Sequence, residues 1–513
     1  MPAARPVIHP VVTRHDAVTL AAQLADLPGT VLLHSARAGG AQSRFSLVAT
    51  RPFLTFRAFG ARCEIRPART PCGEHLPSAD PLPWHGRLSS PADRVQFGNP
   101  WCVLDALLGR YELPDEPDLP FPLGGCFGFW GYDLKNFVEP KLPRRAERDL
   151  DLPDCHVGFY HSLVVFDQQL RQTWIIATGL AADGSRSERR ARHQLRFWQE
   201  QLEQSPRAAL PPWRQVAAAP RLTSNLSRAQ FLDRVARAQR YIRAGDIYQV
   251  NLSQRLAAPL TCSSWELFER LTTTSPAPFA AYLDAGDFQL ASSSPELFLR
   301  LRGAHVVTRP IKGTRPRGAD AGEDARLARE LQTSAKENAE LVMITDLLRN
   351  DLGRVCEFGS VRVPELARLE RYAQVQHLVA TIEGRLRPDV THLGALAACF
   401  PGGSITGAPK FRAMEVIDEL EPTARGPYTG ALGYLGFNRQ SQLSILIRVA
   451  ICAQGRAVFP VGAGIVADST PEAEYEETLA KAAGFVAALG RVAARPCPVR
   501  PARRPPAFVP VAP

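Results

Sequence analysis

The chain's 513 residues and 45% hydrophobic content suffice for one large domain or two ordinary ones with a deep site. No uninterrupted apolar run of about eighteen residues occurs and Met1 to Arg14 lacks the apolar centre of a secretory signal, so neither a membrane span nor export is expected, and the cytoplasm is the expected location. The formal charge of +10 comes from arginines spread along the chain and gathered at Arg491, Arg495, Arg500, Arg503 and Arg504; with no basic run interleaved with aromatics, it argues against nucleic acid and at most for attraction of a small anion.

Residues 1–205 alternate short β-type runs, such as Val31-Leu32-Leu33 and Phe45-Ser46-Leu47-Val48, with proline and glycine breaks, which predicts a sheet-rich region. Within it, Gly124-Gly-Cys126-Phe-Gly128 has the form of a glutaminase nucleophile elbow. No His-x-Glu pattern follows to supply a base, and the run continues into Phe129-Trp130-Gly131-Tyr132, so it reads as packed sheet and the chain carries no glutaminase of its own. All ten cysteines are single, without the paired spacings of zinc sites or disulfide scaffolds, and read as reduced, mostly buried thiols. Helix-favouring sequence from Arg186 to Gln204 leads into a Pro/Ala-rich stretch, which places a linker at 206–222 before a second region at 223–490.

Asn225-Leu-Ser-Arg-Ala-Gln-Phe231 then opens a helix with Phe231, Val235, Ala238 and Ile242 at helical spacing, stopped by Gly245-Asp246. Strands are predicted at Tyr248–Arg255, Phe279–Leu283 and Phe288–Ser292, leading to Ser294-Pro295-Glu296 and to a strand that carries Pro310-Ile-Lys312-Gly-Thr314. A lysine at that place is either a solvated charge or a nucleophile. One long charged helix is predicted from Asp324 to Arg349 and a last helix from Thr470 to Leu489, with a disordered Pro/Arg-rich tail over 491–513.

Two acidic pairs stand out within these helices. Glu337 and Glu340 are three apart, as are Glu474 and Glu477, so each pair lies on one helix face. Such faces are solvated in most proteins, but Leu341-Val-Met-Ile344 follows the first pair at once and implies burial, where a carboxylate needs a cation or a donor. Two helices each offering such a pair suit a Mg²⁺ ion that takes one or two carboxylates and keeps waters. Gly402-Gly-Ser-Ile-Thr-Gly-Ala-Pro-Lys410 lacks the Gly-Lys-Ser/Thr triplet of a phosphate loop, yet it offers backbone N–H groups at a helix start. Val461-Gly-Ala-Gly-Ile-Val-Ala-Asp468 reads as a second turn of that kind.

Taken together, Pro310-Ile-Lys-Gly-Thr314, Ser334-Ala-Lys-Glu-Asn-Ala-Glu340 with Asp346-Leu-Leu-Arg-Asn-Asp351, Phe400-Pro-Gly-Gly-Ser-Ile-Thr-Gly-Ala-Pro-Lys410, and Gly464-Ile-Val-Ala-Asp-Ser469 with Glu474-Tyr-Glu-Glu-Thr478 resemble the chorismate-utilising enzymes in order and spacing. The resemblance is dense over about 223–487. It is looser upstream, through Leu32-Leu-His-Ser35, Ser43-Arg-Phe45 and Gly124 to Asp133. It implies an α+β fold like that of anthranilate synthase component I, a two-sheet sandwich of antiparallel strands with outer helices and interleaved chain halves. It also implies an N-terminal pocket for tryptophan, with Ser35 and Arg44 as candidates.

In the same family, anthranilate synthases carry alanine at the position of Lys312, and isochorismate and salicylate synthases carry lysine at the position of Gln249. Lys312 with Gln249 is similar to the aminodeoxychorismate-forming members. The resemblance then implies that Lys312, as a neutral amine, attacks C2 of chorismate while Glu296, its pKa raised by burial, protonates the departing C4 hydroxyl. Ammonia next adds at C4 and expels the lysine. It implies Mg²⁺ on Glu340 and Glu477, with Glu337 and Glu474 acting through water, and substrate contacts from Arg448, Lys481, Gly462, Gly464, Thr406, His377, Gln249, Asn251 and Tyr434. The implied partners are a separate glutamine amidotransferase supplying ammonia and a separate downstream lyase. Anthranilate or isochorismate formation is the alternative within the family. A non-enzymatic basic binding protein is the alternative outside it.

Overall fold

Period-two alternation of apolar residues in the strands sets the layering. In the strand Ser162–Asp167, Leu163 and Val165 turn into one core while Val164 turns into another, and Leu47 and Val48 divide in the same way in Phe45–Ala49. A sheet whose strands are apolar on both faces has to be covered on both faces. The computed structural model describes residues 5–36, 44–68, 93–113, 119–206, 213–215, 221–371 and 375–493, and it shows that covering. The tail beyond 493 and most of the 206–222 linker lie outside the described residues.

Two antiparallel sheets face one another, each of 12 strands counting one that pairs off the main path: Gly407–Ala408 beside Gln249–Pro259 in the first, and Arg362–Arg371 beside Val375–Arg385 in the second. The first runs from edge to edge through Val7–Val11, Gln172–Ala177, Ser162–Asp167, Phe45–Ala49, Val31–His34, Phe279–Asp284, Gln289–Ser294, Val449–Ala453, Arg456–Ile465, Gln249–Pro259 and Thr223–Ser224. The second runs through Ile311–Pro316, Val375–Arg385, His305–Arg309, Leu297–Arg302, Gln440–Ile445, Ala431–Gly436, Gly125–Trp130, Cys155–Tyr160, Leu54–Phe59, Arg62–Pro67 and Arg94–Phe97. Between them lies an apolar layer containing Leu47, Leu163, Phe127, Phe159 and Leu299. The outer face of the first sheet buries Leu32, Val48 and Phe459 against Leu20, Trp198, Phe268 and Phe485 from four helices. Each such side chain contributes roughly 1.5–3 kcal/mol.

The two sequence regions are not separate bodies. Val31–His34 pairs with Phe279–Asp284, and Gly125–Trp130 pairs with Ala431–Gly436, so both sheets are built from both sides of the linker. Cys126 lies inside the strand Gly125–Trp130, fully buried, and burial pushes its thiol up to about 12, which suits a core residue and not a nucleophile.

Three expectations change. The single helix over 324–349 is two helices, Ala321–Thr333 and Ala335–Gly353. Ser334 breaks it: at φ −65°, ψ 111° it is extended, and its side chain accepts from the Glu337 N–H to cap the second helix. The Val461–Asp468 turn is instead the end of the strand Arg456–Ile465, because Val461, Ala463 and Ile465 are buried and pair with Gln254, Leu252 and Val250. Finally, Arg491–Ala493 are not tail but a short strand pairing with Trp213–Gln215.

Candidate active site

The cleft is assembled from the strand Gln249–Pro259 of the first sheet, the strand Ile311–Pro316 of the second, and the N-terminal turns of the helices Ala335–Gly353 and Pro471–Leu489. Because Ser334 restarts the helix, Glu337 falls in the first turn, where the helix dipole favours a carboxylate, and Glu340 follows on the same face. Lys312 Nζ stands 3.7 Å from Glu340 Oε2, each side chain being 14% exposed. Gln249 Nε2 donates to the same oxygen at 3.4 Å, so the three residues that carry the reading of the sequence meet at one atom. Glu337 is ion-paired with Arg315 at 3.5 Å.

The second helix brings Glu474 and Glu477. Glu474 is buried; Ser469 Oγ donates to its Oε1 at 2.6 Å while its Oε2 has no partner, and burial raises its pKa. Glu477 pairs with Lys481 at 2.7 Å, and Lys481 Nζ also donates to the Gly462 carbonyl at 2.9 Å. Glycine at 462 and 464 follows from close approach. A Cβ on Gly462 would lie 2.7 Å from Asn251 Oδ1, and one on Gly464 would lie 2.7 Å from Gln249 Nε2. Asn251 Oδ1 is itself buried without a partner, a polar atom left for a ligand.

Glu296 is the most perturbed acid of the cleft. Burial pushes its pKa up to about 7, opposed by a hydrogen bond from Ser404 and by the charges of Lys312 and Lys481. Its backbone is pinned on both sides: its N–H donates to Ser294 Oγ at 3.3 Å and its carbonyl accepts from the Ile445 N–H at 3.1 Å. Ser404 was not singled out from the sequence. It lies inside the glycine-rich motif, but nothing in that motif tells which way its hydroxyl turns.

The remaining predicted residues divide. His377 Nδ1 is 2.9 Å from Thr314 Oγ1, two residues from Lys312, and the Thr406 carbonyl accepts from the Asn251 N–H at 2.8 Å, so both belong to the cleft walls. The Arg448 carbonyl accepts from Ser293 at 2.9 Å, with Arg448 held at φ +50°, next to the strand that leads to Glu296. Tyr434 does not join them. It lies in the middle of the second sheet, stacked on Phe127 at 5.3 Å, and lines a different cavity together with Ser35 and Arg44. Sequence order could not place it, because the strand Ala431–Gly436 is far from the cleft edge of its sheet.

The carboxylates suit a hard cation by type. Among the described residues no three metal-binding side chains stand close enough to form a ready-made metal site. Magnesium requires only one or two direct carboxylates and keeps water, and the partnerless Glu474 oxygen and the long Glu340–Lys312 contact leave acceptors for it.

This combination of sheet sandwich and acid-lined cleft defines a chorismate-utilising enzyme. The family model described as chorismate binding enzyme matches residues 91–487, and the chain belongs to that family. It is 42% identical over 92% of its length to anthranilate synthase component 1 of Thermus thermophilus, covering 95% of that protein. It is 38% identical over 93% of its length to aminodeoxychorismate synthase component 1 of Escherichia coli, covering 97% of it. Among solved structures, anthranilate synthase component I from Streptococcus pneumoniae superposes with a TM-score of 0.72 at 30% identity, over 88% of this chain and 94% of that one.

Proposed function

We propose that the protein converts chorismate and ammonia to 4-amino-4-deoxychorismate, as an aminodeoxychorismate synthase component I. The observation that carries this reading is Lys312 beside Glu340 and Gln249, with the raised-pKa acid Glu296 in the field of the same lysine. Attack of the Lys312 amine forms a C–N bond at C2, both conjugated ring double bonds shift by one position towards C4, and the C4–O bond breaks so that the oxygen leaves as water with the proton that Glu296 gives. Ammonia then bonds to C4, both ring double bonds shift back, and the C2–N bond breaks so that Lys312 leaves as the amine. Two displacements with allylic shift return the C4 configuration to its starting sense.

Lys481, Arg448 and the backbone at Gly462 and Gly464 supply donors for the substrate carboxylates, while His377 and Thr406 border the ring. Magnesium, held by Glu340 and Glu477 with Glu337 and Glu474 behind them, would supply a counter-charge for the ring carboxylate. Ammonia is provided by a separate glutamine amidotransferase subunit, and conversion to 4-aminobenzoate, on the route to folate, by a separate lyase. Anthranilate formation is the second reading, favoured by the 42% identity to a protein of that name; Lys312 speaks against it, on the family pattern of alanine there.

The test is to incubate the purified chain with chorismate, Mg²⁺ and ammonium and to identify the product. Aminodeoxychorismate is expected. Anthranilate or isochorismate as the main product would overturn the proposal.

A further inference from the structure

Among the described ion pairs, Glu421 and Arg425 are the most deeply buried, with side chains 4% and 2% exposed and 2.7 Å apart. Glu421 ends the helix Lys410–Leu420, and Arg425 lies in the connection to the strand Ala431–Gly436. All five donors of the Arg425 guanidinium find acceptors. Nε and Nη2 donate to the two oxygens of Glu421, at 2.8 and 2.7 Å. Nη2 also donates to the Asn251 carbonyl at 2.8 Å, and Nη1 to the Ile405 carbonyl at 3.1 Å and to Thr429 Oγ1 at 3.2 Å. Glu421 is fixed in turn, since its Oε1 accepts from the Ser253 N–H at 2.8 Å and the Ser253 hydroxyl at 2.9 Å. The Tyr132 ring faces the guanidinium at 4.7 Å, and Lys135, paired with Asp133 at 3.6 Å, faces that ring as well.

The two carbonyls belong to two segments of the cleft. Asn251 stands in the strand Gln249–Pro259; its N–H donates to the Thr406 carbonyl, and its Oδ1 is the partnerless atom beside Gly462. Ile405 ends the turn Gly403–Ile405 and directly follows Ser404, whose hydroxyl bonds Glu296. A buried ion pair is weak evidence for stability, because desolvation offsets the attraction and apolar residues of similar volume often replace such a pair without loss. What this pair supplies is geometry. A planar fork spans two carbonyls and a carboxylate at fixed separations, which the three donors of a lysine on a flexible stem do not reproduce.

We propose that Arg425, braced by Glu421, is a positioning residue for chorismate turnover: by joining the Ile405 and Asn251 carbonyls, it holds the Ser404 hydroxyl on Glu296 and Asn251 Oδ1 beside Gly462. With every donor used inside the protein, Arg425 acts through Ser404 and Asn251 and not on the substrate. The inference rests on Glu296 as the acid of the cleft and is independent of which product is formed.

The test follows chorismate consumption by the full chain against pH, with Mg²⁺ and ammonium. Lys312 and Lys481, the charges that act on Glu296, stay in place throughout. Glu421→Met/Arg425→Met removes both charges together, so that neither is left buried alone. It is expected to lower kcat/KM by about ten- to a hundredfold. It should also move the descending limb of the pH profile upward by about half to one pH unit, because Glu296 loses the Ser404 hydrogen bond that lowers its pKa. Ser404→Ala, which shifts the limb in the wild type, should add nothing in that background. Arg425→Lys keeps the charge without the fork and should shift the limb in the same direction; it decides the matter where the double variant does not fold. A limb at its wild-type position in either folded variant, or a full further shift from Ser404→Ala in the double variant, would overturn the proposal. Glu296→Gln separates this from the reading beneath it: it should abolish the limb, and a limb that persists there would overturn the acid assignment and the positioning role with it.

Discussion

The cleft and the cavity that Tyr434 lines with Ser35 and Arg44 are walled by the same two sheets and have opposite electrostatics. In the cleft each lysine has an acid beside it, Lys312 with Glu340 and Lys481 with Glu477, and each of these acids stands one turn after an acid of the first helical turn, Glu337 and Glu474. In the cavity the walls are largely strands, Arg300 and Arg302 lie two apart on one of them, and the described lining residues include no Asp or Glu. The difference teaches that helix N-termini bring the paired acids to the candidate site, while the sheets bring Lys312, Gln249 and the Gly462–Gly464 backbone. An acid near a helix N-terminus is stabilised where it stands, while a strand only repeats whatever its alternate positions carry.

The sharpest way to break that comparison is to remove the helix-borne acids. Glu340→Gln and Glu477→Gln should abolish magnesium-dependent turnover, on the order of a thousandfold or more, measured as product formed across a magnesium titration. Retained magnesium dependence in both would detach the acids from the metal. Glu296→Gln should lower kcat by about 10²–10⁴-fold. The sign of the accompanying pH effect is fixed: the acid form is the one required, so wild-type activity should fall as pH rises through about 7, and the variant should lose that descending limb.

Lys312→Ala should slow aminodeoxychorismate formation by about a hundredfold or more, with partial recovery at high ammonium. An unchanged rate would remove the covalent step. Ser404→Ala is the mildest. Since the Ser404 hydrogen bond lowers the Glu296 pKa, its loss should move the descending limb upward by about half to one pH unit, with kcat changed less than by loss of Glu296 itself. A limb that stays in place would show that Ser404 does not act on the acid.

Much of the site was legible because its parts are short and contiguous. The Glu-x-x-Glu spacing survives any packing of the helix that carries it, and the Lys312 and Gln249 strands were readable from their own alternation. Most of what failed, failed at long range, but the break at Ser334 was a local signal passed over: Ser334-Ala-Lys-Glu337 has the Ser-x-x-Glu spacing of a helix start. Tyr434 was put with the substrate residues on the family resemblance, yet its strand Ala431–Gly436 places it in another cavity. The Ser404 contact with Glu296 and the Arg425 bridge between Ile405 and Asn251 exist only across segments that are distant in sequence.

By itself, the sequence determined which residue types line the candidate site: a lysine, a glutamate expected to be buried and two acidic helix faces, each written within a few consecutive positions. Only the tertiary structure decided that Lys312, Gln249 and Glu340 converge on one oxygen, that Glu296 is buried deeply enough to hold its proton near neutral pH, and that a second cavity opens between the sheets. The physical reason is that side-chain type and helical phase are local properties, whereas desolvation, mutual repulsion and cavity volume belong to surfaces brought together from both halves of the chain.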